Sequence, residues 1–176
     1  STVTIKVSGY IDALAKAYEN ATDVKGAVKV GLGHDISLAS SKSMEGETMA
    51  LAQVDTTIVA TALNADGKVA GTIIDTAQTK VKFDKDGKIT SDLKATVKSK
   101  VELGADYGMK KASAIGKEWF EQAKALADWT VGKTPAEVTG LKITDGKADV
   151  AELKTSVTVS VGGYIAAFKE AASKAR

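Results

Sequence analysis

Two stretches of sixteen residues, one near each end of the chain, carry nearly the same pattern. Thr2 to Ala17 reads TVTIKVSGYIDALAKA and Ser156 to Ala171 reads SVTVSVGGYIAAFKEA. Val3, Thr4, Val7, Gly9, Tyr10, Ile11, Ala13 and Ala17 thereby match Val157, Thr158, Val161, Gly163, Tyr164, Ile165, Ala167 and Ala171. The separation is about one small domain, so the repetition limits the fold more than any local pattern does. Residues 1–22 are expected to be a helix from a preceding repeat or a linker, and residues 23–176 a single complete module, as in a tandem array. The chain then reads as a piece cut from a longer precursor, with no signal segment of its own.

Both copies have apolar residues at helical spacing: Val3, Val7, Tyr10, Ile11, Leu14 and Tyr18 in the first, Val157, Val161, Tyr164, Ile165 and Phe168 in the second. Ser1 or Thr2 is available as a cap. The alternation Val3, Ile5, Val7 equally suits a short strand leading into a helix, and the Ala-rich continuation favours helix over most of each copy. Between the copies the texture changes. Runs rich in Val, Ile and Thr at Ala27 to Leu32, Ile36 to Ala39, Val54 to Leu63, Val69 to Ala77, Lys80 to Phe83 and Ile89 to Ser91 read as strands. Asn64-Ala-Asp-Gly67 and Lys85-Asp-Gly87 are turn signals joining them as hairpins. Helical texture returns after Lys94, with an amphipathic helix from near Gly116 to Gly132 carrying Trp119 and Trp129 on similar faces, then a start at Thr134-Pro135-Ala-Glu137. The expected fold is α+β: an antiparallel sheet of hairpins packed against several helices.

Composition narrows the function classes. The 24 basic and 22 acidic residues are interspersed, giving a formal net charge of +2 without a basic stripe, and aromatics make up only 5%. Both facts argue against nucleic acid as a partner. With no cysteine, disulfides, thiolate metal sites and a cysteine nucleophile are excluded. No apolar run reaches membrane-spanning length, which argues against direct membrane insertion. His34 is the single histidine, and Gly33-His34-Asp35 reads as a turn rather than as part of a triad or metal site. Acidic residues are spread singly, so no acid/base pair is marked by spacing, and no glycine-rich phosphate loop is present. Tyr107-Gly-Met-Lys-Lys111 forms a loop with aromatic, thioether and paired-lysine content; an ordinary surface loop with one anchoring aromatic and the lining of an anionic ligand site are both compatible with it.

One order of motifs stands out: Asn64-Ala-Asp-Gly-Lys-Val69, then Ala112-Ser-Ala-Ile-Gly-Lys-Glu-Trp-Phe-Glu-Gln122, then Val131-Gly-Lys-Thr134, and last Ser156-Val-Thr-Val159 before a helix with Tyr164, Ile165 and Ala167. This order resembles the FMN-binding domain family of bacterial extracytoplasmic electron-transfer proteins. In that family a DGKI-like turn, a TPGxG-like loop, a WxxQ helix, a GK-containing turn and an SGAT-like segment follow one another. The likeness covers about two thirds of the chain. It implies an FMN-binding-domain-like fold and an extracellular or cell-surface location after removal of a signal segment. It also implies FMN held by phosphoester at Thr158, with Ser156, Ile115, Gly116, Trp119 and Tyr107 around it, and a flavin transferase or redox partner. Backbone N–H groups at a helix start suit a phosphate at Thr158.

Three functions follow, in order. The first is a non-enzymatic repeat module of a secreted or lipid-anchored surface protein (a lipoprotein in the latter case), with a structural or ligand-binding role, whose partners are neighbouring repeats and which needs no cofactor. The second is a flavin-carrying electron-transfer module with FMN at or near Thr158. The third is a hydrolase using carboxylates.

Overall fold

The Val/Thr-rich runs form strands because their alternating side chains leave one face apolar enough to cover with helices. The computed structural model describes Thr2 and residues 4–176. Strands β1 (Lys29–Ser37), β2 (Leu51–Leu63) and β3 (Val69–Lys82) make a three-stranded antiparallel sheet in that order. The β2–β3 turn is closed by Asn64, whose side-chain oxygen accepts from the backbone N–H groups of Asp66 and Lys68 at 3.0 and 2.9 Å. Gly67 there takes φ +73°, a conformation open to glycine at little cost. Helices α1 (Ser8–Glu19), α2 (Lys100–Leu103), α3 (Trp119–Thr130), α4 (Pro135–Thr139) and α5 (Gly162–Ser173) complete the mixed fold, with a two-stranded ribbon of β4 (Ile143–Thr144) and β5 (Lys147–Ala148).

The strands are longer and fewer than the sequence patterns suggest. Ala27 to Leu32 and Ile36 to Ala39 merge into β1, and Val69 to Ala77 and Lys80 to Phe83 merge into β3; Ile89 contributes only a single bridge to Phe83. His34 therefore lies inside a strand and not in a turn. The cause is α5, which crosses β1 so closely that a Cβ on Gly31 or Gly33 would collide with the backbone carbonyls of Ala171 or Ala167. Glycines that look like turn punctuation are thus a packing surface. Glu170 of α5 reaches His34, accepting from its backbone N–H at 2.7 Å and lying 3.0 Å from its Nδ1.

One sheet face meets α3 and α5. Val59, Leu63, Val69 and Ile74 join Trp119, Leu126, Val138, Leu153, Val157, Val161, Tyr164 and Phe168 in one core. Each fully buried large side chain there contributes about 1.5–3 kcal/mol relative to exposure. The other face leaves Val30, Leu32, Ile58 and Ile73 exposed. Trp119 is buried while Trp129, ten residues on, is only partly so and carries the Lys133 ammonium over its ring at 4.5 Å.

The two repeated segments adopt the same local form. Each helix begins after a valine, Val7 or Val161, without a side-chain cap, so no Ser/Thr cap operates. Ser1 and Val3, one an expected cap and the other a repeat position, lie outside the described residues. Residues 4–7 and their counterparts 158–161 are neither strand nor helix, and in the second copy Val157 and Val161 are buried ahead of the helix. The surroundings differ sharply: α5 buries Tyr164, Ala167, Phe168 and Ala171, and α1 buries nothing.

Candidate functional site

A cleft of about 560 Å³ opens where the segment before α5 passes the start of α3, the 3-10 turn at Met109–Lys111 and the middle of β2 and β3. That volume is in the range that holds a small cofactor. Thr158, Trp119, Gln122, Ser113, Lys100 and Asp55 line it.

Gln122 organises one wall. It is wholly buried on α3, one turn after Trp119, and at the helix start the Glu121 side chain accepts from the Glu118 backbone N–H at 2.8 Å. Its Oε1 accepts from the backbone N–H of Thr158 at 2.8 Å, the Thr158 hydroxyl at 3.2 Å and the N–H of Val159 at 3.3 Å. Its Nε2 donates to Ser113 Oγ at 3.2 Å and to the Lys117 carbonyl at 3.3 Å. One amide thus ties the Thr158 segment to the loop before α3. Glu118 pins the neighbouring turn by accepting from the N–H groups of Met109 and Lys110 at 2.9 and 3.1 Å.

The opposite wall is charged. Ser99 and Glu102 form a capping box that starts α2 and sets Lys100 at its first position. The Lys100 side chain is buried with its ammonium 4.9 Å from the ring centres of both Tyr107 and Trp119. Burial pushes its pKa down, against the pull of Asp55 and Asp75. Among the described residues no carboxylate lies at ion-pair distance from it. Asp55 accepts from Gln53 at 2.8 Å, from Gln78 at 2.9 Å and from Ser40 at 3.0 Å. Burial raises its pKa, but those donors outweigh burial and hold the carboxyl below its ordinary value. Tyr107 donates to Gln78 Oε1 at 3.3 Å, joining the same network, and burial raises its phenol pKa. Trp119 donates its indole N–H to Tyr164 at 2.9 Å, with the rings edge to face at 6.0 Å.

The structure brings Thr158 and Trp119 to the cleft and places Tyr107 in an adjoining hollow that shares Gln78 and Lys100. Ile115 and Gly116 are outside the lining, where Ala112, Ser113 and Ala114 of the same loop stand instead. Ser156 is also outside it and donates to the Leu153 carbonyl at 3.4 Å. In the Tyr107 to Lys111 loop, Met109 lines the cleft and both lysines are exposed. Lys100, Asp55, Gln78 and Gln122 were not singled out from sequence as site residues. Gln122 stands in the WxxQ motif, and the Ser99-to-Glu102 spacing, not among the sequence signals above, is itself a capping-box signal, but neither tells where a side chain ends in three dimensions. Asp55 is the one carboxylate among the lining residues, already engaged by three donors, and no cluster of three or more metal-ligating side chains occurs among the described residues. Nor is any helix there long and apolar enough to cross a membrane.

Compared with known proteins, the chain matched no family model, no curated protein sequence and no solved structure.

Proposed function

We propose that this chain is a non-enzymatic binding module of a surface protein, and that the cleft over Thr158 takes a flat aromatic anion, with FMN as the ligand its motif order suggests. The observation that carries this reading is Lys100: a buried ammonium between two aromatic rings, facing a cleft and, among the described residues, with no carboxylate at ion-pair distance, Asp55 and Asp75 acting on it only from further away. A desolvated cation is costly unless an opposite charge meets it, so such a lysine suits an anionic ligand. The amide-linked Thr158 and Val159 backbone, the Ser113 hydroxyl and the edge of Trp119 supply the polar and apolar borders that orient a small ligand. An FMN-binding-domain-like fold and a tandem arrangement are part of the same reading.

A covalent variant has its own support. The Thr158 hydroxyl borders the cleft, and its backbone stays anchored to Gln122 whether or not the hydroxyl is used. A phosphoester there, made by a separate transferase, would give an electron-transfer module.

Intact mass and visible absorption of the protein from its native host, together with titration of the purified chain with FMN and with riboflavin, test both. Binding of FMN in preference to riboflavin, weakened at least about tenfold by Lys100→Met, is expected, since a hydrogen bond to a charged group contributes about 1.5–3 kcal/mol. A flavin-sized mass increment lost in Thr158→Ala would establish attachment. A colourless protein of unmodified mass that binds neither flavin would overturn the flavin reading.

A further inference from the structure

Helix α1 reproduces α5 in more than sequence. Both are twelve residues long, and the valines that precede them share one backbone conformation, φ −102°, ψ −8° at Val7 and φ −107°, ψ −7° at Val161. The repeat sets Tyr10 on Tyr164, Ala13 on Ala167, Leu14 on Phe168 and Ala17 on Ala171. In α5 these four positions are the buried ones. The two alanines have a particular place: their carbonyls lie on Gly31 and Gly33 of β1, an approach that any side chain on those glycines would prevent.

In α1 the same pattern faces solvent, with Tyr10 at 63%, Ile11 at 58% and Leu14 at 71% exposure. An ion pair joins its Lys16 to Glu102. A helix adapted only to solvent has no use for large apolar residues flanking alanines four apart. We infer that α1 is the closing helix of a preceding module of the same architecture, and that it packs there against a strand with small residues as α5 packs against β1. Residues 20–28 are then the connection between modules. Val24 in it packs its methyl groups against Gly71, on the uncovered face of the sheet.

The partner is a preceding module and not a second copy of this one exchanging helices. Glu170 of α5 pairs with His34 on β1, and the repeat puts Lys16 at that position. Docked on this chain's own β1, α1 would set the Lys16 ammonium where the His34 backbone N–H needs an acceptor. The strand that receives α1 should therefore offer Lys16 an acceptor at the place of the His34 N–H.

Two variants of the full chain test this inference. In the first, residues 162–173 are replaced by the sequence of residues 8–19 with Lys16→Glu built in, beside a control in which the same residues are scrambled. A single cooperative unfolding transition in the replacement and its loss in the scramble are expected. A replacement as unfolded as the scramble would overturn the inference. The second variant is Leu14→Asp in the intact chain, which is expected to leave the unfolding midpoint within about 1 °C, because α1 is not part of this module's core. A clear drop would show that α1 belongs to this module and would also overturn it. Neither arm depends on whether the cleft binds flavin.

Discussion

Replacing Gln122 by leucine should loosen both the core and the cleft, by an amount that follows from its bonds. Leucine keeps most of the volume but no polar atoms, so the N–H groups of Thr158 and Val159 lose their acceptor. A buried donor left unmade costs about 1–3 kcal/mol. Both donors lie beside the cleft, where water can reach them in part, and the added apolar burial offsets some of the loss. Ser113 and Lys117 lose a donor, at smaller cost, because a hydroxyl can turn and a carbonyl has a second lone pair. The net expectation is about 2–3 kcal/mol of destabilisation. For a chain of this length each kcal/mol moves the midpoint by about 2–4 °C. Thermal and urea unfolding measure it, with a double-mutant cycle against Thr158→Val to isolate the hydroxyl bond. A loss under about 0.5 kcal/mol would refute the reasoning, because it would mean that the Thr158 segment is held by its own packing at Val157 and Val161 alone.

Two further outcomes are expected. Asp55, whose folded pKa is depressed, contributes stability that is fully present above the unfolded carboxylate value of about 3.9 and is lost as pH falls through the lower folded value; the midpoint of Asp55→Asn should accordingly fall less than that of the parent on acidification below about pH 4. Gly33→Ala should destabilise by about 1–3 kcal/mol or more through collision with α5, whereas Gly9→Ala, at an open position on α1, should raise helix content and leave the midpoint unchanged by circular dichroism.

Much of the local structure was legible in the chain itself. The Thr134-Pro135-Glu137 start of α4, the Asn64-to-Gly67 turn and the Trp119 helix follow from rules that act within a few residues: a hydroxyl reaching the third N–H, an amide closing an Asx turn, apolar spacing at a helical period. The duplication of Thr2–Ala17 in Ser156–Ala171 was equally open to inspection, since it needs only a comparison of letters.

Tertiary packing decided the rest. Gly33 spells a turn when read along the chain, yet with Gly31 it serves as the floor of α5 once the helix is in place, because whether a glycine bends or flattens depends on what approaches it. Tyr10 and Tyr164 stand in almost identical words, yet one is in water and the other accepts a bond from Trp119, since burial belongs to the surface opposite and not to the helix. Lys100 reads as one more surface lysine among many. Only folding, which brings Lys100 of α2, Tyr107 of the following turn and Trp119 of α3 to one point, leaves its ammonium between two rings at the edge of a cleft, where burial pushes its pKa down.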